Sequence, residues 1–217
     1  MPVMIIVSTD GSCLRNPGGA IGWAWVDHTG GADSGGAASG TNQIAELRAL
    51  LEAIRAHPGP EPLLIESDSL YAIKCASEWI AGWRNNGWRT SNGAPVKNAE
   101  LIQQIDRAIA TRPGPVRFRW VRGHVGNYYN EQADALAGAA ARRAAAGDSG
   151  STTKIATVKG LTPEDDTTRT ARRSDKNPVI IDTVVAPKDP AASGKAAEKA
   201  AARAATPATT EQALTLF

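Results

Sequence analysis

Every Trp and Tyr of this chain, and one of its two Phe (Phe118), lie before residue 146; beyond it the one aromatic is the terminal Phe217. A stretch without large side chains buries little area and cannot offset the entropy of ordering it. The expected organisation is therefore a folded domain over 1–146 and a low-complexity, largely disordered tail over 147–217. Within the tail, "AASGKAAEKAAARAA" (191–205) reads as a marginal helix or a solvated linker. "KIATVKG" and "NPVIIDTVV" read as two short strands able to pair. No internal repeat is visible. The 217 residues suffice for one ordinary domain plus an extension.

The folded part reads as an α/β arrangement. Apolar runs predict strands over 3–9 and 20–27, and a Gly/Ala-rich strand over 32–39. A helix over 43–56 follows, with Ile44, Leu47, Leu51 and Ile54 at helical spacing and Thr41 or Asn42 as N-cap. "HPGP" stops it. A strand over 62–67, a helix from Ser69 to Trp79 or beyond, a helix over 98–110, a strand over 115–121 and a final helix from 130 complete the series. The order βββαβααβα implies a five-stranded mixed sheet with helices on its faces.

Carboxylates carry the chemistry. Asp10 ends the first strand and Asp68 ends "PLLIES"; adjacent strands bring such ends together, and ligands bind there in α/β sheets. Glu46 lies in the early turns of the first helix and Asp134 in the last helix. Singly, each has an ordinary explanation as a turn residue, a favourable first-turn charge or an exposed helix residue. Jointly, carboxylates converging without Lys or Arg repel one another and call for divalent cations. Hard oxygen ligands select magnesium, with manganese as a substitute. Two such ions about 3.5–4 Å apart form a clamp for phosphodiester cleavage.

"TDGSCLRNPG", "AEL" around Glu46, "ESDSLY" and "WVRGHVGNYYNEQADALA" together resemble the bacterial type 1 ribonuclease H domain, in order and spacing, across residues 1–145. The resemblance implies a ribonuclease H-like fold, with Asp10, Glu46, Asp68 and Asp134 as ligands of two magnesium ions. It implies endonucleolytic cleavage of the RNA strand of RNA–DNA hybrids, leaving 5′-phosphate and 3′-hydroxyl ends. His124, in a Gly-flanked loop, is implied in proton transfer or in product and metal release, which suits a group titrating near neutrality. Asn130 is expected to cap the last helix and touch the scissile phosphate.

Substrate contacts follow the same pattern. "WIAGWRNNGWRTSNGAPVK" (79–97) carries Arg84, Arg89 and Lys97, no acid, and interleaved Trp79, Trp83 and Trp88. Basic groups meet phosphates while aromatics pack on sugars or bases. The segment resembles the family's basic protrusion, with Trp79 expected in the core and Trp83 and Trp88 partly exposed. Asn16, Thr41, Asn42 and Gln43 are implied at the minor groove or a DNA-phosphate pocket, where the 2′-hydroxyl separates RNA from DNA. Gln43, Leu70 and Arg15 stand where Asn, Gln and Gly are usual, which bears on groove contacts and leaves the metal chemistry untouched.

The chain ends "EQALTLF". Gln212, Leu214, Leu216 and Phe217 resemble the short bacterial sliding-clamp binding motif, which docks an extended peptide with apolar anchors. The remaining numbers set limits. A net charge of +2 leaves any nucleic-acid contact to local charge. Two cysteines make no disulfide framework or zinc site, and free thiols fit the cytoplasm. No apolar run approaches the roughly 20 residues of a membrane span, and "MPVMIIVSTDGS" lacks the pattern of a secretory signal. A monomer is expected. Two rival readings stand beside the nuclease: a hybrid-binding or clamp-tethered scaffold without catalysis, and a DNA-cutting nuclease of the same fold superfamily. The full acidic set and the basic protrusion argue against them.

Overall fold

The computed structural model describes residues 3–148 and 183–185. Five strands form the expected mixed sheet: β1 (Ile5–Cys13), β2 (Ile21–Asp27), β3 (Ala32–Ala37), β4 (Leu63–Ser67) and β5 (Val116–Trp120). The helices are α1 (Asn42–Ala56), α2 (Leu70–Ala76), α3 (Trp79–Asn85), α4 (Ala99–Thr111) and α5 (Tyr128–Ala145). A sixth strand, β6 (Thr183–Val185), pairs antiparallel with β5, giving the order β3-β2-β1-β4-β5-β6. β6 falls within "NPVIIDTVV", but its partner is β5; "KIATVKG", residues 191–205 and the Gln212–Phe217 motif lie outside the described residues.

β1 is longer than its apolar run suggests. It continues through "DGSC" because β2 pairs with it antiparallel from Val7↔Asp27 to Cys13↔Ile21. Its parallel ladder with β4 stops at Thr9↔Ser67. Asp10 is thus not at a strand tip. It sits inside β1, opposite Ala24, one residue past the end of the β1–β4 ladder.

The core lies mainly between the sheet and α1, α2 and α4. Leu47, Leu50, Leu51 and Ile54 of α1, Ile102, Ile105 and Ile109 of α4, and Phe118 of β5 are all buried there. Each such side chain contributes roughly 1.5–3 kcal/mol of transfer free energy. Thr41 caps α1, its hydroxyl accepting from the Ile44 N–H at 3.2 Å. The opposite face is closed by α5, whose buried residues include Ala133, Ala137, Ala140, Ala141 and Ala144. Small side chains let the helix backbone approach the sheet, and Gly22 completes the fit: a Cβ there would run into Ala137 O and Ala141 N.

The helical run from Ser69 divides at Ser77–Glu78. The Ser77 hydroxyl donates to Ile73 O at 2.7 Å and its backbone (φ −124°, ψ −65°) leaves the helix, so α3 starts afresh at Trp79. Three helices, not two, therefore join β4 to β5. Asn130 is not the cap of α5. Asn127 is, its side-chain oxygen accepting from the Asn130 N–H at 3.1 Å, while Asn130 itself is buried one turn inside.

Candidate active site

Asp10 in β1, Glu46 in α1 and Asp68 just after β4 each place a carboxylate oxygen within 4.8 Å of the others. The backbone makes this convergence. Gly11 has no Cβ, and one would strike the Glu46 N and Ala45 C atoms, so α1 crosses β1 at backbone contact and delivers Glu46 beside Asp10. Gly123 does the same for the β5–α5 loop, where a Cβ would strike Asp68 Oδ2. The Trp120 indole N–H donates to the Asp68 carbonyl at 3.0 Å and fixes the chain where β4 ends.

Among the described residues none of the three has an Arg or Lys ion-pair partner. Burial, followed by the charges of Asp68 and Asp134, pushes the Asp10 carboxyl up to about 8. Burial, then Asp10 and Asp68, holds Glu46 well above the usual carboxylate range. Burial also raises Asp68, opposed by nearby His124. Compensation is sparse: the Gly11 N–H donates to Asp10 at 2.6 Å and the Asn42 amide to Glu46 Oε1 at 3.4 Å, whereas Glu46 Oε2 is buried with no hydrogen-bond donor. An orphaned buried carboxylate oxygen beside two further carboxylates fits a hard divalent cation.

Asp134 lies outside that trio, its side chain 46% exposed, yet near enough to raise both Asp10 and Asp68. His124 approaches it, Nδ1 to Oδ2 3.8 Å, from an exposed loop position with φ +54°. Asn16, Thr41, Asn42 and Gln43 gather at the start of α1: the Asn42 N–H donates to Asn16 Oδ1 at 3.3 Å, and Gln43 is exposed.

The basic segment differs from expectation in two respects. Trp79, expected in the core, is the exposed ring at 39%; Trp83 and Trp88 are half-buried, as expected, with one side packed against the core. Arg84 makes a two-pronged bond to Asp106 of α4 (3.0 and 2.7 Å), so its guanidinium ties α3 to α4. Arg89 donates to Gly93 O at 2.7 Å within the loop and Lys97 is exposed. Sequence reading gives no reason to single out Glu66, Arg119, Ser8, His28 or Asn127, which form a second polar cluster on the α5 side of the sheet. The available signal is an acid inside an apolar strand flanked by parallel neighbours, which must find a partner.

The ribonuclease H family profile matches residues 3–142. The chain is similar to the ribonuclease H of Polaromonas naphthalenivorans, at 40% identity over 146 residues, covering 66% of this chain and 90% of that one. It is 45% identical over 138 residues to the ribonuclease H of Tropheryma whipplei, covering 63% and 84%. Among solved structures it resembles LC9-RNase H1, described as a type 1 RNase H with the type 2 active-site motif: 27% identity, TM-score 0.58, 88% of this chain and 90% of that one. The foamy viral protease–reverse transcriptase shares the fold at 22% identity and TM-score 0.55, over 63% of this chain and 20% of that one. A family match spanning most of the chain, set on a sheet that gathers its carboxylates at one place, makes this chain a member of the ribonuclease H family, a nuclease of the hydrolase class.

Proposed function

We propose that the chain cleaves the RNA strand of RNA–DNA hybrids with two magnesium ions, leaving 5′-phosphate and 3′-hydroxyl ends, and that it removes primers and R-loops during replication. The convergence of Asp10, Glu46 and Asp68 without a basic partner carries this reading. Asp10, Glu46, Asp68 and Asp134 would hold the ions, which when bound supply an activated water and charge neutralisation at the leaving 3′ oxygen. His124, exposed and beside Asp134, moves a proton or helps release the product. Asn16, Thr41, Asn42 and Gln43 read the strands near the cut, while Asn130, expected to touch the scissile phosphate, is buried within α5. Trp83, Trp88, Arg89 and Lys97 line the DNA-side grip, with Arg84 bracing it through Asp106.

The catalytic unit is taken as residues 1–146, acting as a monomer. Residues 147–217 serve as a tail whose Gln212, Leu214, Leu216 and Phe217 tether the enzyme to a sliding clamp. Binding of the clamp by the tail peptide, lost on removing Leu216 and Phe217, tests the tether. The main experiment offers labelled hybrid, single-stranded RNA and duplex DNA, with and without magnesium, beside Asp68→Asn. Metal-dependent cutting confined to the RNA of the hybrid, and lost in the variant, is the expected result. Equal cutting of duplex DNA would move the chain to a DNA-cutting branch, and tight hybrid binding without cutting would make it a scaffold.

A further inference from the structure

The chain passes from β5 to α5 through "VRGHVGN" (121–127), a loop set by two left-handed residues, His124 at φ +54° and Gly126 at φ +92°. A residue with a side chain is held in that conformation by what surrounds it. Two holds are visible, one on each side of His124. Before it, Gly123 lies against the Asp68 carboxylate with no room for a Cβ. After it, the Gly126 N–H donates to Glu131 Oε1 of α5 at 2.8 Å. Between these holds His124 and Val125 are exposed. The imidazole comes to 3.8 Å from Asp134, beyond hydrogen-bond distance, so the backbone anchors decide where the ring stands.

Glu131 is not what starts α5. Asn127 caps the helix through the Asn130 N–H, and the Glu131 N–H closes the first turn onto Asn127 O at 2.9 Å. In a capping box the acid stands three residues after the cap and returns to the cap's own N–H. Here the acid stands four after the cap and returns to the residue before it. The bond therefore ties the loop to the helix. Asp134 follows Glu131 by three residues, so the two acids are neighbours on one face of α5. Fastening the loop to Glu131 fastens it on the side where Asp134 stands.

We infer that Glu131 is a positioning residue for His124: by holding the Gly126 N–H it fixes the outgoing end of the loop and keeps the imidazole beside Asp134. The inference rests on the hybrid-cleaving reading above, in which His124 moves a proton or helps release the product. A group that acts only after the substrate is bound bears on turnover more than on binding. Loss of the anchor can therefore cost no more than loss of His124 itself.

The test uses steady-state cleavage of an RNA–DNA hybrid at saturating magnesium by the full chain, with thermal melts alongside. Glu131→Ala removes the acceptor. Glu131→Gln keeps an oxygen for the Gly126 N–H without the charge. Expected in Glu131→Ala is a kcat loss of about three- to tenfold with KM within about twofold of wild type, and in Glu131→Gln a kcat within about twofold of wild type. Added to His124→Ala, the Glu131→Ala change should cost less than about twofold further, because its effect runs through the missing ring. Wild-type kcat in Glu131→Ala, an equal loss in Glu131→Gln, or the full loss again in the His124→Ala background would overturn the inference. Should Glu131→Ala fail to fold, Glu131→Met, which keeps the stem and lacks the acceptor, decides in its place. Amide exchange reads the anchor apart from activity: Gly126 should exchange at least about tenfold faster in Glu131→Ala than in wild type or Glu131→Gln, and equal rates would also overturn the inference. Failure of wild type to cut the hybrid, with that exchange difference intact, would instead remove the functional reading itself.

Discussion

Glu66 is the penultimate residue of β4, and Asp68 follows the strand's end. Both are acids whose carboxyls burial pushes upward. Their surroundings then diverge. Glu66 is met by a guanidinium and a hydroxyl. Asp68 is met by two further carboxylates, with His124 the nearby favourable charge. A buried acid with its donors in place holds the fold together; one gathered with others and left short of donors is suited to hold a cation. The two conditions are adjacent on one strand.

The largest separation should come from Asp68→Asn, which is expected to lower hybrid cleavage at least about 1,000-fold while leaving the melting temperature unchanged or higher, since it relieves repulsion. A stability loss as large as the activity loss would erase the distinction between the clusters. Arg119→Met should do the reverse to stability, costing about 2 kcal/mol by denaturant titration, because it leaves the Glu66 carboxylate buried beside fewer donors.

The Asp10 carboxyl, raised from 3.8 to about 8, adds a pH signature. Below the lower value it is neutral whether the chain is folded or not. Between the two values the folded chain keeps a proton that the unfolded chain has lost, so metal-free stability falls as pH rises through this window. From about pH 5 to about pH 8 the melting temperature should drop by about 3 °C or more, with a shallower slope in Asp10→Asn. Magnesium should restore more stability at the alkaline end and release protons on binding, which calorimetry in two buffers reads directly. The smallest effect belongs to Ser8→Ala, which removes the long bond to Glu66 and the 2.9 Å bond with the His28 ring and should cost about 1 kcal/mol without changing magnesium binding.

Local signals made much of this legible. Apolar runs ending in punctuation located the five strands and Asp68 at the end of β4, and the spacing of Leu47, Leu51 and Ile54 gave the buried face of α1. What stayed hidden depends on partners distant in sequence. "DGSC" reads as a turn, and only the pairing with β2 keeps it extended. Arg84 reads as a free basic group until α4 brings Asp106 to it across 22 positions. Trp79 and Trp83 are four residues apart on one helix, and which of them faces the core depends on where α3 restarts after Ser77. Glu66 was unreadable as a structural acid because Arg119 and Ser8 come from elements more than 50 residues away.

The pairing of β1 has one more consequence. Asp10 is rooted in a strand bonded along its length, and Glu46 in a helix pressed against that strand through Gly11. Asp134 and His124 stand on the solvent side. The site is built like a vise with one jaw cast into the sheet and the other mounted at its rim, where solvent rather than packed neighbours surrounds the two outer side chains.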